Sequence, residues 1–218
     1  MRSERIKKLV TLAILCALAI VAMLLIRIPV VMFLKYEPKD VVLAIGGFIF
    51  GPLPVMVMSV IVSLIEMVTV GETGIYGAIM NALSSCTFAC TAAFIYKKWR
   101  SLPGAATGLA GGVIVTVPVM LLWNYLMVPI YMGVTREAVA GMLIPTFLPF
   151  NLLKYGLSAA ITMLLYKPVR TALSKSHLLP SSPNQGARVA KVNLGVILIS
   201  VLIIITCVLL ILSWQKVI

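Results

Sequence analysis

The amino-acid sequence predicts an all-α, polytopic integral membrane protein. Of its 218 residues, 61% are hydrophobic and only 11% are charged, and the mean hydropathy is +1.12. Soluble domains carry about 25% charged residues on average, so this composition excludes a soluble globular protein. Apolar runs of about 20 residues, the length that a membrane helix needs, recur between short polar or basic segments.

Glycine, proline and charged residues divide the apolar sequence into seven predicted helical segments. Breaks fall at Gly51-Pro52, at the turn Gly71 to Gly74 and at the basic cluster Lys97 to Arg100. The predicted segments cover residues 9–31, 41–50, 53–70, 75–96, 105–132, 145–168 and 193–214. The chain therefore divides into a membrane domain over residues 1–175, a cytoplasmic Pro/Ser/Gly-rich linker over 176–192, and an additional C-terminal transmembrane helix over 193–218.

The distribution of basic residues predicts the orientation in the cell membrane. The net charge is +12, but the basic residues form short clusters between apolar spans rather than a solvated stripe, which argues against nucleic acid as a partner. With the N-terminus in the cytoplasm, most lysines and arginines fall on the cytoplasmic side, as the positive-inside rule requires. The sequence therefore predicts a multi-pass protein with a cytoplasmic N-terminus and an extracellular C-terminus.

Polar side chains at membrane depth are the main candidates for a functional site. A charge at mid-bilayer costs about 2.5–3.5 kcal/mol on insertion scales, so each such group needs a reason. Asn81, Asn124, Tyr125, Asn151 and Lys154 fall at a similar depth on three predicted helices. Any single asparagine could simply form a hydrogen bond between helices, and the lysine could snorkel to the headgroups. Together, these side chains predict an outward-opening pocket for a small molecule with a polar edge.

Charged residues near the outer ends of the spans allow two interpretations. The loop that contains Glu37, Lys39 and Asp40 could be a simple connection, or it could be a lid whose polar side chains face a ligand. Arg27 and Glu66 lie at the outer ends of the first and third spans, and a structural ion pair between them is the favoured interpretation. On the first helix, the small residues Ala13 and Ala17 permit close helix approach, either internally or to a membrane partner.

Sequence features of enzymes are missing. No phosphate-binding G-x-x-x-x-G-K-[ST] loop occurs, Asp40 is the only aspartate, and the lone histidine, His177, falls in the predicted linker. The cysteines lie in apolar spans without the spacing of metal ligands. We therefore expect no catalytic residues, no metal site and no cofactor.

Several stretches resemble a known family of transport proteins. These are TLAILCALAIVAMLL, YEPKDVVLAIGGFIFGP, NALSS, WNYLMVPIYMG and PFNLLKYG, which together span most of residues 9–170. The chain resembles the riboflavin-specific substrate-binding (S) components of energy-coupling factor (ECF) transporters. The resemblance implies a six-helix S-component bundle that captures riboflavin in an outward cavity and delivers it inward. It also implies docking on a transmembrane coupling subunit and two cytoplasmic ATPases.

The resemblance also implies roles for individual residues. Ala13 and Ala17 match the small residues that contact the coupling subunit, and the acidic lid position is met by Glu37 or Asp40. Family contacts to the flavin match at Asn81, Asn124, Asn151 and Lys154. An asparagine amide can accept from the imide N–H of the flavin while donating to a ring carbonyl.

Alternatives remain open at this stage. The ligand could be flavin mononucleotide (FMN), with Lys39 or Lys154 meeting its phosphate, or another vitamin. A self-sufficient secondary transporter and an assembly protein are further alternatives, although neither an internal repeat nor a deep acidic residue supports the former. The segment 193–214 has no counterpart in the six-helix pattern.

Overall fold

A computed structural model describes residues 2–31, 34–71, 73–175 and 194–214. Six of its helical segments are long and apolar enough to cross a membrane, which agrees with a multi-pass membrane protein. In chain order, the elements are α1 (Arg2–Leu25), β1 (Ile28–Val31), β2 (Leu34–Tyr36), α2 (Lys39–Phe50), α3 (Pro52–Thr69), α4 (Gly74–Lys98), α5 (Leu102–Met132), α6 (Arg136–Met142), a π-helical segment (Leu143–Phe147), α7 (Leu148–Lys175) and α8 (Leu194–Trp214).

A β-hairpin follows the first helix, and the sequence did not predict it. The predicted span over 9–31 is wrong at its C-terminal end, because α1 ends at Leu25 and the chain then forms β1. Strands β1 and β2 are antiparallel, with Ile28 opposite Tyr36 and Val31 opposite Leu34. The apolar residues of β1 continue the hydrophobic run of α1, so composition alone could not separate helix from strand.

Helix α2 is too short to cross a bilayer, and most of it is buried inside the bundle. Its 12 residues span about 18 Å. Its C-cap is Gly51, whose φ of 91° lies in the region that only glycine adopts without strain. Pro52 then begins α3, where its missing N–H and fixed φ are tolerated. The pair Gly51-Pro52 therefore reverses the chain inside the membrane domain.

Two glycines allow α5 to pack closely on α4. A Cβ atom at Gly108 would lie 2.7 Å from the carbonyl oxygen of Ala92, and one at Gly112 would lie 2.9 Å from that of Phe88. This small-x3-small spacing is typical of membrane helices whose backbones approach each other. The contact fixes α4, which carries Asn81, relative to α5, which carries Asn124.

The additional C-terminal helix packs on α7 and reaches the hairpin. Cys207 and Ile211 of α8 belong to one buried cluster with Val30 and Leu34 of the hairpin and with Leu153 of α7. Most other apolar side chains of α8 are exposed, as expected of a peripheral helix that faces lipid. The predicted linker over 176–192 lies outside the described residues.

Replacement of Ile211 by alanine tests whether α8 supports the hairpin. Ile211 is buried, so its truncation leaves a cavity beside the strands, and a loss of about 2 kcal/mol in unfolding free energy is expected. Thermal unfolding in detergent measures the change. Leu209→Ala is the matched control because Leu209 is exposed on the same helix. Equal effects of the two substitutions would contradict a supporting role.

Candidate ligand-binding site

A small cavity of about 60 Å³ lies beneath the β-hairpin. The segment from α1 through the hairpin, the C-terminal end of α3, the first turns of α4, and α7 all contribute to its walls. The lining residues with polar or charged side chains are Arg27, Lys35, Glu37, Glu66, Thr73, Asn81 and Lys154. The cavity therefore combines an apolar membrane setting with a concentration of ionisable groups.

Lys39 is the centre of a buried ion network. Its side chain is fully buried, and its Nζ lies 3.1 Å from Oε2 of Glu37 and donates to Oε2 of Glu66. Asn81 donates from Nδ2 to the other oxygen, Oε1, of Glu66 at 2.6 Å. A buried charge is tolerated only when it is paired and hydrogen-bonded. This network meets that condition with side chains from α2, α3 and α4.

Arg27 connects the network to the residue that follows α3. Its Nε donates to Oε1 of Glu37 at 2.8 Å, and its Nη1 donates to the carbonyl oxygen of Val70 at 2.7 Å. The predicted ion pair between Arg27 and Glu66 is therefore wrong. Glu66 instead binds Lys39, because the N-terminal turn of α2 enters the bundle between α3 and the hairpin segment.

A second ionic cluster lies between α2 and α7. The Nζ of Lys154 is 3.7 Å from Oδ2 of Asp40, and Ser85 donates from Oγ to the other carboxylate oxygen, Oδ1. The ammonium also lies 5.6 Å from the ring centroid of Tyr155, within the range of a cation–π contact. Only 6% of Lys154 is exposed, so this lysine does not snorkel to the headgroups.

The asparagines of α5 and α7 are both buried. Asn151 donates from Nδ2 to the carbonyl oxygen of Phe147 at 2.7 Å, at the end of the π-helical segment. The carbonyl oxygen Oδ1 of Asn124 has no hydrogen-bond partner among the described residues. An unpaired buried acceptor costs about 1–3 kcal/mol, and π-helical segments are frequent at functional sites. Both features are typical of a binding site.

The structure brings only part of the predicted site to the cavity surface. Glu37, Asn81 and Lys154 line the cavity. Lys39 and Asp40 do not belong to a solvent-facing loop, as a lid would require, because they form the first turn of α2 and are fully buried behind the wall. Asn124 and Asn151 lie on the buried faces of α5 and α7. Tyr125 is half-buried and is not part of the cavity wall.

Three participating residues were not predicted as site residues. Arg27 and Glu66 were interpreted as a structural pair, and Ser85 was not singled out although NALSS was one of the recognised stretches. The charges of Arg27 and Glu66 and the membrane depth of all three residues were visible in the sequence. Their partners were not, because the contacts join residues far apart in the chain, such as Ser85 with Asp40.

The cavity is smaller than typical binding pockets for small organic molecules, which have volumes of about 300–1,000 Å³. A ligand of that size would therefore fit only if part of the wall moved, such as the hairpin with its Arg27–Glu37 contact. The hairpin is connected to α1 and α2 at its two ends, so a rearrangement there would open the cavity without unfolding the bundle.

The ionisation of Glu37 should make the contact between Arg27 and Glu37 dependent on pH. Burial acts to raise the pKa of its carboxyl group, but the positive charges of Lys39, Lys154 and Arg27 outweigh burial, so the pKa lies below its ordinary value of 4.5. Such a group stabilises the fold above its unfolded pKa, and this contribution is lost as pH falls through the folded pKa.

The unfolding free energies of wild type and Glu37→Gln should therefore differ by a constant amount from about pH 8 to about pH 5 and converge only below about pH 4. Thermal unfolding in detergent at several pH values measures this difference. A difference that shrinks already near neutral pH would contradict the assignment.

Ala13 and Ala17 occupy a different surface. Both are exposed and line a groove between α1 and α3. The interpretation of this pair as an internal packing contact is therefore wrong for the part of the chain that the structure describes. The pair is available to a partner or to lipid.

Comparison with known proteins places this architecture in a family. Residues 7–166 match the family described as ECF transporter, substrate-specific component. The riboflavin transporter RibU of Staphylococcus aureus (strain TCH60) is 27% identical over 179 residues, which cover 78% of this chain and 93% of that protein. The riboflavin transporter FmnP of Bacillus subtilis (strain 168) is 28% identical over 162 residues, which cover 69% of this chain and 85% of that protein.

A solved structure described as the S component of a bacterial ECF transporter has the same fold. Its TM-score is 0.66 at 27% identity, and the match covers 78% of this chain and 98% of that one. The family match alone spans well over half of the sequence. The chain therefore belongs to the family of ECF transporter substrate-specific components.

Proposed function

We propose that this chain is the riboflavin-binding subunit of an ECF vitamin transporter. The observation that carries the proposal is the buried polar cavity beneath the hairpin, with Asn81 and Lys154 in its wall. The names of the two curated relatives, both riboflavin transporters, support the choice of vitamin.

The chemistry of the isoalloxazine ring suits this donor and acceptor set. One edge of the ring presents carbonyl acceptors and an imide N–H donor. Lys154 lies in the cavity wall, and its ammonium can donate to a carbonyl. Asn124 lies outside the present wall, and its unpaired Oδ1 would accept from the imide once the cavity has opened to admit the ring. The planar apolar part of the ring would contact lining residues such as Met80 and Phe150.

Charge balance favours riboflavin over FMN as the ligand. Three cations, Arg27, Lys39 and Lys154, are matched by the carboxylates of Glu37, Glu66 and Asp40. Lys35, which also lines the cavity, adds one further positive charge. A phosphate monoester carries a charge of about −1.5 to −2 at neutral pH, which exceeds that single additional charge. Riboflavin is neutral and enters without that cost.

Delivery across the membrane requires other subunits in this proposal. The sequence contains no phosphate-binding loop for ATP hydrolysis, so a coupling subunit and two ATPases would supply the energy. The exposed Ala13 and Ala17 on α1 are the proposed contacts with the coupling subunit. The hairpin end of the bundle would face outward, with the N-terminus in the cytoplasm and the C-terminus outside.

The visible absorption spectrum of the chain purified in mild detergent tests the ligand. Denaturation releases any bound chromophore, and its mass identifies it. A stoichiometric amount of riboflavin is the expected result. Stoichiometric FMN would contradict the charge argument, and a colourless protein that fails to quench added riboflavin fluorescence would contradict the flavin assignment.

Uptake into vesicles tests the need for partners. The purified chain alone should bind riboflavin without accumulating it, even with ATP supplied. ATP-dependent accumulation by the chain alone would contradict the proposed need for a coupling subunit and ATPases. Accumulation driven by an ion gradient would indicate a secondary transporter.

A further inference from the structure

A long apolar groove with a volume of about 1070 Å³ runs between α1 and α3, away from the cavity beneath the hairpin. Leu9, Leu12 and Ile20 are among the residues of its α1 wall, and Val57 and Ile61 are among those of its α3 wall. The side chains on both walls are almost entirely apolar. The groove thus has the surface chemistry of a site for a hydrocarbon chain.

One end of this groove is strongly basic. Four cationic side chains from two elements line it: Arg5 and Lys8 from α1, and Lys97 and Arg100 from the C-terminal end of α4 and the residues that follow. No aspartate or glutamate is present among the described residues of the lining. This end therefore favours an anionic group, while the rest of the groove favours an apolar one.

Two basic residues that neighbour the groove lysines in sequence, Lys7 and Lys98, lie outside the groove and have other contacts. Lys7 lies 3.9 Å from Glu4, and the ammonium of Lys98 lies 5.1 Å from the ring centroid of Phe94. The positive charge that faces the groove is thus a specific subset of the basic cluster. It is separable by substitution from the general positive charge of this end.

The dimensions of the groove match one leaflet of a bilayer. From Lys8 to Ile20 the α1 wall extends for about 18 Å, and half of the hydrocarbon core is about 15 Å. Basic pockets between membrane helices on the cytoplasmic side are typical sites for anionic lipid headgroups. We propose that the groove binds an anionic phospholipid, with an acyl chain between α1 and α3 and its phosphate at the basic end.

The lipid site goes beyond vitamin binding and does not depend on which vitamin is bound. Ala13 and Ala17 line the same groove, so a coupling subunit that docks there must displace the lipid. In the free chain the lipid covers an apolar surface that is otherwise exposed to other membrane proteins. Lipid composition would then regulate docking while leaving the affinity for the vitamin unchanged.

Thermal unfolding of the purified full chain with added phosphatidylglycerol or phosphatidylcholine of the same acyl chains tests the site. Phosphatidylglycerol should raise the unfolding midpoint by several degrees more than phosphatidylcholine does. This preference should be lost in Lys8→Gln/Lys97→Gln, which removes two charges from the groove. It should persist in Lys7→Gln/Lys98→Gln, which removes the same net charge outside the groove.

Val57→Trp gives a second, independent variant, because it fills the groove from an exposed position on α3 and retains every charge. It should also abolish the preference for phosphatidylglycerol. Equal losses in the two double variants, persistence of the preference in Val57→Trp, or equal stabilisation by inorganic phosphate would overturn the lipid site. Quenching of riboflavin fluorescence in the same samples should be unchanged, so failure of the lipid site and failure of the proposed function are distinguishable.

Discussion

Replacement of Lys39 by methionine should destabilise the protein more than any other single substitution at the site. The side chain is fully buried and compensates the carboxylates of Glu37 and Glu66. Methionine preserves most of the volume but leaves two buried acids with insufficient positive charge. Removal of one partner from a buried ion pair costs about 3–5 kcal/mol, and thermal unfolding in detergent measures the loss.

A double variant separates the charge effect from a packing effect. Lys39→Met/Glu66→Gln removes one positive and one negative charge, and the amide oxygen of the new glutamine can still accept from Asn81. Most of the lost stability should return, with a coupling energy well above the range of independent sites. Lys98→Met is the matched control, since it removes a surface ammonium. A stable single variant, or a double variant no more stable than the single one, would contradict the network.

Replacement of Asn124 by leucine should have opposite effects on stability and binding. Its Oδ1 is a buried acceptor without a partner among the described residues, so an apolar side chain of similar size should leave the unliganded protein as stable or more stable. The same change removes the proposed acceptor for the flavin imide. Loss of about 2–3 kcal/mol of binding free energy, roughly 30- to 150-fold in affinity, is expected.

Thr116→Val provides the control for this experiment. Thr116 is also buried on α5, and its hydroxyl is likewise unpartnered among the described residues. It precedes Asn124 by about 12 Å along the helix, on the side away from Val128, which packs with the hairpin. Riboflavin affinity should be unchanged in Thr116→Val. For Asn124→Leu, both the riboflavin affinity and the unfolding midpoint are measured and compared with those of the wild type. A strongly destabilised Asn124→Leu protein would indicate that the asparagine forms a structural hydrogen bond between helices rather than a ligand contact.

The membrane helices were predictable because their signal is local. The boundaries of α3, α4, α5 and α8 lie within a few residues of the predicted spans, since Pro52, the turn near Gly71 and the cluster at Lys97 interrupt long apolar runs. The β-hairpin was missed because four apolar residues from Ile28 to Val31 cannot be distinguished from the end of a helix by composition.

Candidate residues were predictable in kind, but their partners were not. A buried charge in a membrane helix is unusual enough that Lys154 could be identified from sequence alone. Its pairing with Asp40 depends on the position of α2 within the bundle, which no local pattern specifies. The same reason explains why Arg27 was paired with Glu66 when Glu37 is its partner. It also explains why the segment with Lys39 was interpreted as either a connection or a lid, when Lys39 is the centre of the buried network.

Titration of riboflavin fluorescence with the purified chain and with Asn151→Leu/Lys154→Met tests the central claim most directly. Wild type should quench the flavin at one molecule per chain. The fraction of the double variant that elutes as a folded protein should show at least about 100-fold weaker binding, because it loses a hydrogen-bonding amide and a charged donor. Undiminished binding by a folded double variant would contradict the placement of the flavin site beneath the hairpin.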